Sequence, residues 1–204
     1  MILAAHSRRR GRGSGHNARD EFIGIVLAGV GGQGLVTIGT ILGEAAVLEG
    51  RNACLSSTYG TEARGTFTKS DVLIGDGEID FIEVVEPDVL LCLAQSAFDR
   101  YALLLEAEGA ERTLLLYDSD LVTPSPLCRA KSIGIPFARL ASEQGVPGAA
   151  NLAALGAVVG LTCAVRPESV RAVLGEKAFR QGSAEAFDEG LRAAKTGERI
   201  PPRN

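Results

Sequence analysis

Residues 22–34, FIGIVLAGVGGQG, constrain the fold more than any other stretch. An apolar, partly β-branched run that ends in glycines predicts a strand buried on both faces, then a tight turn. After Gly34, apolar residues at Leu35, Ile38, Ile41, Leu42, Ala45 and Leu48 keep roughly helical spacing. Strand, glycine turn and helix together form the first unit of an open α/β sheet. Backbone N–H groups at such a helix start, with the helix dipole behind them, favour an anion such as a phosphate. The pattern Gly29-x-Gly31-x-x-Gly34 also fits the dinucleotide fingerprint, but the next strand, 52–58, ends in hydroxyls. A nicotinamide fold needs an acid there, and Glu49 belongs to the helix before it. Three uses of the glycines stay open: chain reversal with close packing, a phosphate cradle, or a subunit contact.

Composition narrows the function classes. The two histidines, His6 and His16, both lie in the first 20 residues. The body therefore holds no Ser–His–Asp triad, Cys–His pair or histidine metal site. Cys54, Cys92, Cys128 and Cys163 are scattered and form no C-x-x-C pair, so neither zinc nor an iron–sulfur cluster is expected on this chain. Cys54, Cys92 and Cys163 sit in apolar runs and read as small buried side chains, and with no disulfide called for, a reducing cytoplasm is expected. No apolar run approaches the roughly 18 residues of a membrane span. The first 20 residues carry five arginines against one aspartate, a net of +4, which leaves −8 for the rest of a chain of formal charge −4. An acidic body without tryptophan is a poor nucleic-acid platform. The arginine-rich start reads as a disordered extension, for which a non-functional or misassigned start is the leading explanation.

Taken in order, 52–57 reads as a second parallel strand, followed by the polar loop Tyr59-Gly60-Thr61-Glu62-Ala63-Arg64-Gly65. Loops at the carboxyl ends of parallel strands line the ligand crevice, so this loop should lie beside the glycine turn. The plain alternative is a surface ion pair between Arg64 and Glu62. Residues 66–74 alternate like a half-exposed strand, and 79–84 suit a partner strand, making a β-hairpin insertion over 66–84. Residues 88–93 read as a central parallel strand. Gln95 and Ser96 fall at its crevice end, with Ser96 as N-cap of a helix over 97–108. Further strands are expected at 113–117 and, as an edge strand because of Pro136, at 133–140. Helices are expected over 151–164, from Pro167, and over 183–195. Gly156 and Gly160 give the first of these a smooth face, for internal packing or a subunit contact. The expected fold class is α/β: a single-domain open, mostly parallel sheet with flanking helices and the hairpin insertion. The domain spans 21–196, between a basic extension (1–20) and a C-terminal tail (197–204).

Ala28-Gly29-Val30-Gly31-Gly32-Gln33-Gly34, then Tyr59-Gly60-Thr61-Glu62-Ala63-Arg64-Gly65, then Glu86-Pro87-Asp88-Val89-Leu90-Leu91, resembles the gamma subunit of 2-oxoacid:ferredoxin oxidoreductases. The stretches from Gln95 to Asp99 and from Asn151 to Gly156 are similar too. The form of the second motif points to the 2-oxoglutarate and branched-chain members. One departure is Thr66, where the family commonly has a second glycine; a β-branched residue is poor at positive φ. The resemblance implies oxidative decarboxylation of a 2-oxoacid, transfer of the acyl group to coenzyme A, and electrons passed to ferredoxin. It implies partner subunits of alpha and beta type, with a delta type as a further candidate. Thiamine diphosphate and iron–sulfur clusters would sit in those partners. This chain would be inactive alone, with no catalytic residue and no metal, and would assist coenzyme A binding and assembly. The implied cofactor-binding residues are Gly29, Gly31, Gly32, Gln33, Gly34, Tyr59, Glu62, Arg64, Gln95 and Ser96. Arg64 could contact a phosphate or carboxylate in bidentate fashion, or pair with Glu62. The alternatives are a free-standing nucleotide-phosphate-binding domain and a purely structural α/β subunit.

Overall fold

The computed structural model describes residues 2–3, 22–59, 66–80, 83–176 and 182–196. Among them seven strands form one sheet: β1 (Ile2–Leu3), β2 (Phe22–Val30), β3 (Asn52–Tyr59), β4 (Phe67–Gly75), β5 (Val89–Cys92), β6 (Leu114–Asp118) and β7 (Lys131–Ile135). Their order is β1-β3-β4-β2-β5-β6-β7. The pairs β2–β5, β5–β6 and β6–β7 are parallel; β1–β3, β3–β4 and β2–β4 are antiparallel. The open α/β architecture stands, but the sheet is mixed.

The hairpin lies elsewhere than expected. β3 and β4 form it, and β4 inserts between β2 and β3. β3 runs in the direction of β2 yet bonds to antiparallel β4, not to a parallel neighbour. The described part of 79–84 forms no strand, and residues 81–82 lie outside the described residues. Nor is β4 half-exposed: most of it is buried and most of its polar groups are partnered in place, although Asp71 Oδ1 meets no hydrogen-bond partner among the described residues. Ser70 Oγ lies 3.0 Å from Ser57 Oγ, and Lys69 Nζ lies 3.0 Å from both Asp71 and Glu83.

Alternation along β2 and β5 divides the core. Ile25, Leu27, Val89 and Leu91 face one side of the sheet; Val26, Ala28, Leu90 and Cys92 face the other. Both sides are covered, which explains near-continuous apolar strands. Helix α1 (Leu35–Leu48) packs on β3 and β4, on the same side as α3 (Phe137–Glu143), α4 (Ala150–Thr162), α5 (Pro167–Glu176) and α6 (Ser183–Thr196). Helix α2 (Gln95–Glu106) covers the opposite side. The chain thus leaves β2 for one side and β5 for the other, the topological switch point at which open α/β sheets place ligands.

Several local expectations change. Residues 137–140 belong to α3, because Pro136 ends the strand and starts a helix. Helix α2 begins two residues early with extended Ala94 at its N-cap, so Ser96 lies inside the first turn and caps nothing. Cys163 is exposed, at the left-handed C-cap of α4 (φ 52°), whereas Cys54 and Cys92 are buried as expected. Thr66 does not take a positive φ, so its β-branch strains nothing there. Ile2 and Leu3 pair with β3, so the extension is not wholly without structure; 4–21 and 197–204 lie outside the described residues. The small-residue faces of α4 and α6 meet each other: Gly156 lies against the backbone of Phe187 and Leu191, and Gly190 against Ala153. Internal packing accounts for that smooth face.

Candidate functional site

The turn after β2 is built by backbone bonds and one side chain. Gly31 N–H donates to Thr66 O at 2.9 Å, and Gln33 N–H to Val30 O at 3.2 Å. Thr66, the first described residue after the Tyr59–Gly65 motif, thus touches the glycine turn; residues 60–65 lie outside the described residues. Gly32 (φ 94°) and Gly34 (φ 71°) take the left-handed conformation that favours glycine. No side chain caps α1. The N–H groups of Gly32, Gly34 and Leu35 meet no backbone acceptor among the described residues. These are the donors that a helix start offers to an anion.

Gln33 uses its amide inside the protein. Its Oε1 accepts from Val30 N–H at 2.7 Å and its Nε2 donates to Leu93 O at 2.8 Å. Gly29 makes room for it, since a Cβ there would land on Oε1. Across the turn, Asn151 near the start of α4 accepts Leu152 N–H at 3.0 Å and reaches Gly34 O at 3.5 Å. A Cβ on Gly34 would collide with the Asn151 amide.

These elements enclose a half-open cleft with an empty volume of about 470 Å³, part of it open to solvent. Gly32, Gln33, Gly34, Leu93, Asp118 and Asn151 are among its walls. It lies beyond the carboxyl ends of β2, β5 and β6. Asp118, which ends β6, is buried. Its Oδ1 accepts Asp120 N–H at 2.9 Å and its Oδ2 accepts Ala138 N–H at 3.2 Å, fixing the start of α3. Burial pushes its carboxyl above the usual range, against those bonds.

The expected site residues therefore divide. Gly32, Gln33 and Gly34 line the cleft; Gly29 and Gly31 do not, Gly29 lying against the Gln33 amide and Gly31 donating to Thr66 O. Gln95 and Ser96 are exposed and do not line it. Gln95 instead holds the loop after β6, accepting Thr123 N–H at 2.8 Å and donating to Asp99 at 2.9 Å. Tyr59 ends β3 opposite Thr68, with its side chain outside the described residues, as are Glu62 and Arg64 entirely. Asp118 and Asn151 were not singled out as site residues. The one signal in the sequence was their position, an acid at a strand's carboxyl end and an amide at a helix start.

Fold and cleft together define an open α/β domain whose switch-point crevice is floored by a glycine turn and a helix start. A family model described as pyruvate ferredoxin/flavodoxin oxidoreductase matches residues 24–200. The 2-oxoglutarate synthase subunit KorC of Methanocaldococcus jannaschii is 40 % identical over 178 residues, covering 84 % of this chain and 93 % of that protein. The solved gamma subunit of a keto/oxoacid ferredoxin oxidoreductase from Geobacter sulfurreducens superposes with a TM-score of 0.71 at 37 % identity, over 85 % of this chain and 99 % of that one. The fold also recurs at a TM-score of 0.78 and 22 % identity in the 2-oxoglutarate:ferredoxin oxidoreductase of Magnetococcus marinus, solved with 2-oxoglutarate, coenzyme A and succinyl-CoA bound. There it covers 89 % of this chain and 32 % of the other. The chain belongs to the pyruvate ferredoxin/flavodoxin oxidoreductase family, and what it matches there is the gamma-type subunit. The resemblance read from GGQG and YGTEARG is borne out.

Proposed function

We propose that this chain is the coenzyme A-assisting subunit of a complex that oxidises 2-oxoglutarate. In that reaction the carbon–carbon bond to the carboxylate breaks and carbon dioxide leaves. The acyl carbon joins the coenzyme A sulfur, and two electrons pass to ferredoxin through the complex. That substrate is supported by the KorC relatives, which are 2-oxoglutarate synthase subunits; a branched-chain 2-oxoacid, as the ketoisovalerate oxidoreductase relatives suggest, is the alternative. Alpha- and beta-type partners, with a delta type where present, would hold thiamine diphosphate and the iron–sulfur clusters. The four cysteines are free, which suits the cytoplasm. No helix among the described residues is long and apolar enough to cross a membrane.

The observation that carries the coenzyme A assignment is the glycine turn. It presents the free N–H groups of Gly32, Gly34 and Leu35 at the start of a 14-residue helix, on the wall of an open cleft. A phosphate of coenzyme A suits those donors. Tyr59, Glu62 and Arg64, in the loop that ends against this turn, are the residues we assign to the rim. The test is co-expression with the partner subunits and titration of the purified complex with coenzyme A. Arg64→Ala is expected to raise the KM for coenzyme A while the KM for 2-oxoglutarate holds. The chain alone is expected to show no decarboxylation, and turnover by the isolated chain would overturn the subunit reading.

A further inference from the structure

We propose that Gln33 is a positioning residue of the cleft: its amide clamps the carboxyl ends of β2 and β5 together and so fixes where the N–H groups of Gly32 and Gly34 point. The inference rests on the coenzyme A reading of the cleft. It adds that Gln33, although on the wall, acts through the backbone and not by touching the ligand.

The bonds form a closed circuit. Leu93 N–H donates to Ala28 O at 2.9 Å, joining the end of β5 to β2. Leu93 O then accepts Gln33 Nε2 at 2.8 Å, and Gln33 Oε1 accepts Val30 N–H at 2.7 Å. The circuit closes through Gln33 N–H on Val30 O at 3.2 Å. Both side-chain bonds are at the short end for N–H···O geometry. The other tethers reach elsewhere: Gly31 N–H to Thr66 O at 2.9 Å holds the start of the turn toward β4, while the turn's own bond is 3.2 Å and that from Asn151 to Gly34 is 3.5 Å, so among the described residues only Gln33 ties the turn to β5. Gly32 has no side chain, and among the described residues no atom lies within 4 Å of where a Cβ would stand, so the tip itself has no side-chain contact there. Gly29 belongs to the same device, because any larger residue would displace the amide. This is why a glutamine follows two glycines here: its length spans two strand ends, and it offers a donor to one and an acceptor to the other.

The experiment uses the assembled complex carrying Gln33→Met, Gly29→Ala, both together, or Gly148→Glu. Methionine keeps the volume of Gln33 and loses both bonds. Gly29→Ala keeps the amide but pushes it out of place. Gly148 lines the cleft and a Cβ there meets open space, so its glutamate tests the cleft as an anion site without touching the clamp. Gln33→Met and Gly29→Ala are each expected to raise the KM for coenzyme A roughly 10-fold, the scale of losing a supporting residue. We expect kcat within about twofold and the KM for the 2-oxoacid unchanged. The double variant should be no worse than Gln33→Met, since both substitutions break one circuit. If Gly148→Glu raises the KM and Gln33→Met does not, the clamp is wrong and the cleft reading stands. If Gly148→Glu leaves the KM unchanged, the cleft reading falls and the clamp's role falls with it. A loss of assembled complex with an unchanged KM, or additive effects in the double variant, would equally overturn the clamp. Should Gln33→Met fail to assemble, Gly29→Ala carries the test.

Discussion

A methyl group added at Gly190 should cost more than almost any other single alanine in the chain. Gly190 of α6 faces α4, and its Cβ would fall on the carbonyl oxygen of Ala153, 2.6 Å from the carbonyl carbon and 2.9 Å from Cα. Ordinary contact begins near 3.4 Å. All three neighbours are backbone atoms of a helix, so no side chain can swing away. The two helices must part by about 1 Å, and a gap of that size forfeits a quarter to a half of the dispersion energy across it. Phe187, Leu191 and Ala194 are buried on this seam. Their burial together is worth roughly 6 kcal/mol, so the loss comes to about 2–3 kcal/mol. Residual overpacking adds about 1 kcal/mol or more, and the better helix propensity of alanine returns about 1 kcal/mol. Gly190→Ala should therefore destabilise by about 2–3 kcal/mol. With a urea m-value near 2 kcal/mol/M, the unfolding midpoint of the purified chain should fall by about 1 M. The control is Gly175→Ala on α5. That position is exposed and its Cβ meets nothing within 4 Å, so the same substitution should be neutral or stabilising by up to about 1 kcal/mol. A Gly190→Ala midpoint within error of wild type would refute the seam as described.

Three further outcomes follow from particular contacts. Burial pushes the Asp71 carboxyl above its usual range, although the Lys69 ammonium lies 3.0 Å away and opposes the shift. A raised folded-state value means that the protonated form contributes stability below about pH 4, which is lost as pH rises through the raised value. Unfolding measured from about pH 4 to pH 7 should thus show wild type losing stability relative to Asp71→Asn; a constant difference would contradict this. Asp118→Asn keeps one acceptor and turns an NH₂ toward Asp120 N–H or Ala138 N–H, so it should cost about 1–3 kcal/mol in urea unfolding. Cys163 is exposed, whereas burial encloses Cys54 and Cys92 and pushes both thiols up, so a thiol reagent should label the native chain first at Cys163. Equal rates at Cys163 and Cys92 would count against the fold.

Fold class and glycine turn were legible because they depend on local pattern. An apolar run closed by glycines can hardly be anything but a buried strand and a turn, and α1, β5, β6 and α6 follow the same logic. Strand order was not legible, since it depends on where polar residues find partners. Thr68, Lys69, Ser70 and Asp71 give β4 the look of a surface strand, yet it lies inside the sheet. Its polar atoms reach Ser57 and Glu83, which are distant in sequence. No periodicity reports such a pairing, and from it came the misplaced hairpin. The same limit explains Ser96: a good capping residue stood one position inside the true helix start, and extended Ala94 took the cap.

In the candidate site the residues of one motif are engaged in different ways. GGQG falls at the carboxyl end of β2, and three of its four residues line the cleft. A one-dimensional reading gives all four residues the same role, because spacing says which residues are near one another but not which atoms are already engaged. In three dimensions the roles separate. Gly32 and Gly34 supply left-handed backbone and N–H groups with no backbone acceptor among the described residues, Gly29 supplies only absence of volume, and Gln33 has both ends of its amide bonded at the ends of strands. A half-buried amide satisfied at both ends gains little by moving toward a ligand, because it would leave Val30 N–H and Leu93 O without partners at a cost of about 1 kcal/mol each. That cost holds Gln33 in the framework, and under the proposed coenzyme A reading the ligand's donors are those of the turn's backbone.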